Sequence, residues 1–163
     1  MKENSINFAY IDGANLHKGT NDLGWDVDYK KLRTWLKDKY NVSNAYLFIG
    51  LVSKNKNLYT YLQESGFILI YKEVTLGGNG TIKGNCDASL VLKTTSDFYE
   101  KHFDKAVIIS SDGDYAELID FLKNKSALRI VISPSNKCSY LLRKQNTPLL
   151  YLDSQRKKLE KRL

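Results

Sequence analysis

The sequence predicts an α/β fold built on a doubly wound, mainly parallel sheet. Short apolar runs without polar alternation are separated by segments in which apolar residues repeat at helical spacing. Runs of this kind are typical of parallel strands that helices cover on both faces. Two acidic turns, Asp12-Gly13 and Asp112-Gly113-Asp114, each come directly after such a run or its closing serines. Only a doubly wound order brings the carboxyl ends of their strands together at a switch point.

The strands are predicted from apolar runs that end at polar or glycine-containing turns. The first strand stops at Asp12-Gly13, and the fourth stops at the serines that precede Asp112. The first and fourth strands are expected to be central neighbours, because the switch point must lie between the two acidic turns. The six predicted strands cover 6–11, 45–51, 67–71, 106–109, 128–132 and a short last segment, 149–152.

The helices are predicted from apolar spacing together with start and stop signals. Asp28 is a suitable N-cap for a helix that runs to about Tyr40, and Gly66 ends a short helix before the third strand. Further helices start near Asp87 and after the DGD turn, the latter running to about Lys123. The inner face of the helix near Asp87 is predicted to consist of Ala88, Val91, Leu92 and Tyr99.

The chain is predicted to form one domain over residues 1–153, followed by a basic tail over residues 154–163. With 163 residues, 42% of them hydrophobic, the chain is long enough to bury one core. No apolar run approaches the roughly 20 residues of a membrane-spanning helix, so we expect no membrane association. The tail is expected to be a solvated helix or a frayed end. Its cations are Arg156, Lys157, Lys158, Lys161 and Arg162.

The composition favours a polyanion as partner and the cytoplasm as location. A net charge of +7 suits a nuclease, which uses Lys and Arg for phosphates and carboxylates for metal. The two cysteines, Cys86 and Cys138, are far apart and provide neither a disulfide framework nor a zinc-binding spacing. The N-terminal segment leads into a strand without the apolar core of a signal peptide. A reducing, cytoplasmic setting is therefore the expectation.

Four carboxylates are predicted to meet at the carboxyl edge of the sheet. Asp12 follows the first strand, Asp112 and Asp114 follow the fourth, and the helix that begins at Asp87 can lean in beside them. Two like charges about 4 Å apart repel by about 4 kcal/mol at an effective dielectric near 20. Acids crowded in this way are usually paired, protonated or neutralised by a cation. Because oxygen ligands alone suit Mg²⁺ or Mn²⁺, the pattern predicts a divalent-metal site.

Polar residues next to these acids are candidates for supporting roles. Asn15, one helical turn after Asp12, is placed to hold a metal-bound water or a phosphate, and Ser110 and Ser111 offer hydroxyls to the same place. A water on such a metal can attack a phosphodiester. With two ions about 3.5–4 Å apart, one activates the water and the other stabilises the leaving oxygen.

Each acid also has a purely structural interpretation. Asp12-Gly13 fits a simple Asx turn, and Asp87 is a good N-cap. Asp114 and Glu117 have the spacing of a capping box at the start of a helix. Taken together, four acids at matching strand ends and helix starts favour a shared site over separate local roles.

The glycine-rich segment Gly77–Asn85 is predicted to be a flexible substrate loop, in which Lys83 reaches a phosphate. A solvated connection without contact to a substrate is the alternative interpretation. Tyr71 and Lys72, at the end of the third strand, together with Lys83 could stack on and pair with a single strand of nucleic acid.

Three motifs together resemble those of the NYN domain family, the LabA-like branch of the PIN-like nucleases. They are Asp12-Gly13-Ala14-Asn15, the KGNCD segment that ends at Asp87, and SSDGDY over Ser110–Tyr115. The pattern runs in the same order over nearly the whole chain and includes the SPSNKCSYLL stretch after the fifth strand. The DGAN start combined with the DGD turn is the specific part of the resemblance.

The resemblance implies a PIN-like (Rossmannoid) fold with strand order 3-2-1-4-5 and a short extra strand, and metal-dependent cleavage of RNA. It also leaves a homodimer open, because related domains often dimerise. Many relatives carry a further acid about two turns into the helix that starts near Asp87, where the closest position here is Lys93. Carried over residue by residue, the metal-binding acids are Asp12, Asp87, Asp112 and Asp114, with Asn15 and Ser110 as polar support.

The predicted function is that of an endoribonuclease that depends on Mg²⁺ or Mn²⁺ and acts on single-stranded or structured RNA. Asp12 and Asp112 would bind the principal metal, while Asp87 and Asp114 would bind it through water or hold a second ion. One alternative is a non-catalytic PIN-like module that binds RNA or a protein. Another is a metal-dependent phosphatase, because the DGD turn resembles the haloacid-type DxD motif. That motif follows the first strand, however, where this chain has only Asp12.

Overall fold

The structure, a computed structural model, describes residues 5–51, 56–73, 75–76, 82–83 and 87–162. Its strands are β1 (Asn7–Asp12), β2 (Val42–Leu51), β3 (Phe67–Glu73), β4 (Thr75–Leu76), β5 (Ile82–Lys83), β6 (Lys105–Ile109), β7 (Leu128–Ser133) and β8 (Leu149–Tyr151). Its α-helices are α1 (Gly13–Asp22), α2 (Tyr29–Tyr40), α3 (Lys56–Glu64), α4 (Asp87–Tyr99), α5 (Ala116–Asn124), α6 (Tyr140–Arg143) and α7 (Arg156–Leu159). Short 3-10 helices cover Gly113–Tyr115 and Leu152–Gln155.

Six of the strands form one parallel sheet in the order β3-β2-β1-β6-β7-β8. The predicted α/β class and the predicted order of main strands, with the short extra strand at one edge, are therefore confirmed. The central strand β1 pairs with β2 on one side and β6 on the other, and Ile11 lies opposite Ile109. The remaining strands, β4 and β5, form a small antiparallel hairpin that the sequence analysis did not predict.

Two hydrophobic cores lie on opposite faces of the sheet. The side chains of β1 alternate between them, as expected of a strand. Ala9 and Ile11 pack with residues of α1, α2, α3 and α7, whereas Phe8 and Tyr10 pack with residues of α4, α5 and α6. Asp12 is two residues after Tyr10 and four after Phe8, so its side chain faces the same side of the sheet as theirs, which is the side of α4.

Helix α1 follows β1 without a connecting loop and was not predicted. Its sequence is poor in apolar residues, and Leu16 is its one buried residue with a large apolar side chain. The Asp12 carboxylate caps this helix by accepting a hydrogen bond from the Asn15 N–H at 3.2 Å. The helix therefore begins through a polar cap rather than through an apolar stripe, which is why spacing did not reveal it.

The predicted inner face of α4 is wrong at Ala88, Leu92 and Tyr99, which are exposed, and only Val91 packs partly against the core. Leu92 and Tyr99 are 69% and 63% exposed, and the helix buries Leu90, Thr94 and Asp97 instead. The Asp97 carboxylate accepts a hydrogen bond from the Tyr10 hydroxyl at 2.7 Å. A buried polar contact with β1 therefore sets the rotation of this helix, and periodicity of apolar residues could not predict it.

The C-terminal segment packs against the domain instead of fraying. Leu159 of α7 is fully buried in the core that contains α2, and Glu160 forms an antiparallel bridge with Val27. Lys157 and Lys158 are exposed, in agreement with a solvated outer face. The domain boundary at residue 153 stays a prediction. Within the described ranges, every helix is too short or too polar to cross a bilayer.

Gly19 of α1 provides a test of how this helix packs. Alanine normally stabilises a helix interior relative to glycine by about 1 kcal/mol. Here an added Cβ would lie 2.7 Å from Pro134 Cβ and 2.8 Å from the Pro134 carbonyl carbon. We therefore expect Gly19→Ala to lower the free energy of unfolding by about 1–3 kcal/mol in urea denaturation. The exposed control Lys18→Ala should change it by less than about 1 kcal/mol, and a stabilised Gly19→Ala protein would contradict this packing.

Candidate functional site

Three carboxylates from separate segments meet at the carboxyl edge of the sheet. One oxygen from each of Asp12, Asp87 and Asp112 lies within 4.8 Å of the other two. Asp12 ends β1, Asp112 follows β6 after two serines, and Asp87 is the first residue of α4. We call these three residues the acid cluster. Because its ligand atoms are all oxygens, its chemistry suits a hard divalent cation.

Asp12 is the most deeply buried member of the acid cluster, with 8% of its surface exposed. Burial raises the pKa of the Asp12 carboxyl, and the neighbouring Asp87 and Asp112 raise it further. The hydrogen bonds from the Asn15 N–H and the Tyr115 hydroxyl act in the opposite direction. A carboxylate in this position is costly to ionise in the folded protein, and a bound cation would lower that cost.

Tyr115 connects two members of the acid cluster and was missed by the sequence analysis. Its hydroxyl oxygen lies 2.7 Å from Asp87 Oδ1 and 3.2 Å from Asp12 Oδ2, and the residue is fully buried. Burial and the two carboxylates raise the pKa of Tyr115 well above its usual range, so the hydroxyl keeps its proton. In the sequence this tyrosine resembles an ordinary core residue, and only its place directly after the DGD turn could have pointed to the site.

The turn after β6 is shaped by hydrogen bonds to its own side chains. The Asp112 N–H donates to Ser110 Oγ at 3.1 Å, and the Asp114 N–H donates to Asp112 Oδ1 at 2.9 Å. Asp112 thereby caps the 3-10 helix Gly113–Tyr115. The capping-box interpretation of Asp114 is wrong, because α5 begins without a side-chain cap.

Asp114 lies at the rim of the site and not within the acid cluster. Its side chain is exposed. The Asp112 carboxylate, and to a smaller extent Asp87, raise the pKa of the Asp114 carboxyl, which shows that the three side chains are neighbours. The structure therefore brings three of the four predicted acids into one group and leaves the fourth at its solvent side.

Asn15 and Ser111 link α1 to the turn after β6. The Asn15 side-chain carbonyl accepts from the Ser111 N–H at 2.9 Å and from the Ser111 hydroxyl at 3.1 Å. Ser110 is buried, and its hydroxyl oxygen accepts from the Asp112 N–H. These three predicted polar neighbours of the acids therefore lie at the site. Asn15 and Ser111 hold the two acidic turns together, and Ser110 contacts Asp112 within its own turn.

Gly113 lies directly against the segment that leads into α6. A Cβ at this position would clash with Ser139 Oγ and would lie 3.1 Å from Leu141 Cδ1. A larger residue in the DGD turn would therefore have to displace the side chains of Ser139 and Leu141.

The predicted cationic residues are not gathered at the acid cluster in the described part of the chain. Lys72 lies on the edge strand β3 opposite Gly50, two strands away from β1. The Lys83 side chain and most of the glycine-rich loop lie outside the described residues. Lys93 Nζ lies 3.1 Å from Asp97 Oδ1 and 4.9 Å from the centroid of the Tyr46 ring. Lys93 therefore neutralises a buried acid on the same helix.

A second acidic group differs from the acid cluster in its neighbours. Asp97, Glu100 and His102 also bring ligand atoms within 4.8 Å of one another. Asp97, however, already accepts from the Tyr10 hydroxyl and forms an ion pair with Lys93. By contrast, no ion pair involves Asp12 or Asp112 within the described ranges. This difference makes the acid cluster the candidate site.

Comparisons with known proteins are consistent with this geometry. The family model described as NYN domain matches residues 9–153. No curated protein matches the chain. Among solved structures, a protein of unknown function from Vibrio parahaemolyticus is similar, with 17% sequence identity and a TM-score of 0.79. The match covers 99% of this chain and 100% of that chain, and it supports the fold alone.

The raised pKa of Asp12 predicts how stability depends on pH. In metal-free buffer at pH 7, we expect Asp12→Asn to increase the free energy of unfolding by about 1 kcal/mol, because the amide removes a buried charge. The folded state binds the Asp12 proton more tightly than the unfolded state. The gain should therefore disappear as the pH falls toward the ordinary value of 3.8. Urea denaturation at pH 7 and pH 4 measures this.

Asp97→Asn is the matched control, because Asp97 is also buried but has charged and hydroxyl partners. Its substitution should decrease the free energy of unfolding by about 2 kcal/mol or more at pH 7. If the two substitutions change stability in the same direction, the distinction between a strained acid cluster and a neutralised acid is wrong.

Proposed function

Since the chain belongs to the NYN domain family, within the PIN-like nuclease superfamily, we propose that it is a metal-dependent ribonuclease that hydrolyses internal phosphodiester bonds of RNA. The observation that carries the proposal is the acid cluster, in which three carboxylates from distant segments come within 4.8 Å. A site of this kind is a feature of nucleases that position water and phosphate with divalent cations. The net charge of +7 favours an anionic substrate.

The residues of the acid cluster fit Mg²⁺ or Mn²⁺. Asp12 and Asp112 would hold the principal ion, and Asp87 and Asp114 would contact it through water or hold a second one. One support is that all the donor atoms are oxygens. The other is the raised pKa of the Asp12 carboxyl, because a bound cation would lower this pKa again. When bound, such an ion supplies an activated water and neutralises charge on the phosphate.

The other residues of the site would act by position. The Tyr115 hydroxyl would hold Asp12 and Asp87 at one spacing, and Asn15 would keep the turn after β6 against α1. Ser110 would fix Asp112 through its N–H. Lys72 and Lys83 are proposed phosphate contacts at the edge of the sheet. The cytoplasmic location and a homodimer stay predictions.

Cleavage of RNA tests the function directly. We expect the purified protein to cut a labelled single-stranded RNA internally with Mn²⁺ or Mg²⁺, and EDTA to stop the reaction. Asp112→Asn should lower the rate by at least about a hundredfold, because it removes a ligand charge. Asp120→Asn, an exposed acid of α5 outside the acid cluster, should cut at the wild-type rate.

Other outcomes separate the alternatives. Retained RNA affinity in EDTA without metal-dependent products would favour a non-catalytic binding module. Release of inorganic phosphate from small esters, with internal bonds of RNA left intact, would favour a phosphatase. Either result would overturn the ribonuclease proposal.

Tyr115→Phe tests the positioning role, since it removes the hydroxyl and keeps the ring. We expect the dissociation constant of Mn²⁺, measured by isothermal titration calorimetry, to rise by about 10–100-fold. The metal concentration for half-maximal cleavage should rise in parallel, while the rate at saturating metal stays near that of the wild type.

Tyr10→Phe is the matched control for this variant. Tyr10 is also a fully buried tyrosine on the same face of the sheet, but its hydroxyl binds Asp97 and not the acid cluster. Its loss should reduce stability and leave Mn²⁺ affinity within about threefold of the wild-type value. Equal losses of metal affinity in the two variants would mean that Tyr115 acts only through general stability.

A further inference from the structure

A cleft of about 470 Å³ opens beside the acid cluster on the other face of the sheet. Gly13 and Ala14, the two residues after Asp12, form one end of it, and Leu47 and Ile49 of β2 form its floor. It lies between α1 and α3, and we call it the α1–α3 cleft. Its volume is within the range of small-ligand sites, about 300–1,000 Å³.

The register of the sheet places the α1–α3 cleft close to Asp12. Asp12 pairs with Phe48, so Ile49 and Gly50 continue β2 by one and two residues beyond this pair. With a rise of about 3.3 Å per residue and about 4.8 Å between strands, this end of the cleft is within about 10 Å of Asp12. A single strand that crosses the edge of the sheet at the acid cluster would therefore meet the cleft with an adjacent nucleotide.

Aliphatic and aromatic side chains together line the α1–α3 cleft. Tyr29, Tyr59 and Tyr61 line it, and Leu58 stands at its opening with 44% of its surface exposed. The Tyr59 hydroxyl donates to the Gly50 carbonyl at 3.1 Å, which anchors α3 against the end of β2. A ligand with a flat, apolar ring would pack well against tyrosine rings in such a cleft.

Polar groups inside the α1–α3 cleft are free to bind a ligand. In the part of the chain that the structure describes, the hydroxyls of Tyr29 and Tyr61 have no hydrogen-bond partner. Burial raises the pKa of Tyr29 to about 12, with Tyr61 and Asp26 contributing, so these three polar groups are neighbours. An aliphatic ligand would leave the hydroxyls unpaired, whereas a ring with polar edges would satisfy them.

The rim of the α1–α3 cleft carries one cation, Lys161, and one acid, Asp26. His17 and Lys161 are exposed at the cleft, and the Asp26 carboxylate is already engaged by the Asn21 side chain at 3.1 Å. A nucleotide combines a flat ring, donors and acceptors on the ring edge, and a phosphate for the cation at the rim.

We infer that the α1–α3 cleft binds one unpaired nucleobase of the RNA, next to the phosphate at the acid cluster. This inference rests on the proposed function for its substrate, and it selects single-stranded over duplex RNA. A base in an RNA duplex is stacked on its neighbours and paired through its edge, so it cannot enter the cleft unless the duplex opens. The tyrosines of the cleft would then stack on the base without strong preference among bases.

Binding measured in EDTA tests the cleft without cleavage. The probe is a fluorescein-labelled, unstructured 12-nucleotide RNA, followed by fluorescence anisotropy, with a duplex of the same sequence for comparison. We expect the wild type to bind the single strand more tightly than the duplex. Leu58→Glu should weaken binding of the single strand by about tenfold, because it puts a charge at the mouth of a stacking site.

Ile68→Glu is the matched control. Ile68 is also 44% exposed, the charge change is the same, and its position on β3 opposite Tyr46 places it on the other face of the sheet. It should weaken binding by less than about twofold. Tyr61→Phe, which removes one free hydroxyl, should weaken binding by about two- to fivefold and leave Mn²⁺ affinity unchanged.

The outcomes separate this inference from the proposed function. Equal weakening by Leu58→Glu and Ile68→Glu, tighter binding of the duplex, or no RNA binding by the wild type would each overturn it. Selective weakening by Leu58→Glu and Tyr61→Phe would support the cleft, even if no metal produced cleavage. In that case the ribonuclease proposal would fail and the nucleobase site would remain.

Discussion

The repulsion among Asp12, Asp87 and Asp112 is the constraint on which the rest of the structure depends. Their oxygens come within 4.8 Å of one another, and Asp12 is nearly buried. Like charges about 4 Å apart repel by about 4 kcal/mol at an effective dielectric near 20. The parallel pairing of β1 with β6 brings two of these acids together, and α4 supplies the third. Hydrogen bonds from the Asn15 N–H and the Tyr115 hydroxyl offset part of the cost.

Two buried aspartates on one face of the sheet show how a structural acid differs from a site acid. Asp97 receives the Tyr10 hydroxyl and the Lys93 ammonium, so its charge is neutralised inside the protein. Asp12 receives a backbone N–H and a hydroxyl but has no ion pair among the described residues. The first arrangement fixes the rotation of α4. The arrangement around Asp12 leaves negative charge that an external cation can neutralise. Without that cation, the charge lowers the stability of the folded protein.

The sequence was informative where apolar runs alone decide structure. Continuous apolar strands, with acids directly after the first and fourth, were enough to predict the parallel sheet, the central place of these two strands and the meeting of Asp12 with Asp112. The full strand order came from the resemblance to the NYN domain family. What could not be predicted depends on polar contacts between distant elements. The rotation of α4 follows from Asp97, the start of α1 follows from the Asp12 cap, and the place of Tyr115 follows from two carboxylates. None of these contacts leaves a periodic pattern in the sequence.

The junction between β1 and α1 joins the two chemical environments at this edge of the sheet. A Cβ on Gly13 would lie 2.7 Å from the Phe48 carbonyl oxygen and from Ile49 Cγ2, so α1 can start here only because the residue is glycine. Alternation along β1 puts the carboxylate of Asp12 on the side of α4, and Gly13 forms the end of the α1–α3 cleft on the other face. The acid cluster and the α1–α3 cleft thus lie on opposite faces of the sheet at its carboxyl edge, with few residues between them. If the proposed nucleobase site is correct, a flexible single strand would bend over this edge, whereas a rigid duplex would have to open first.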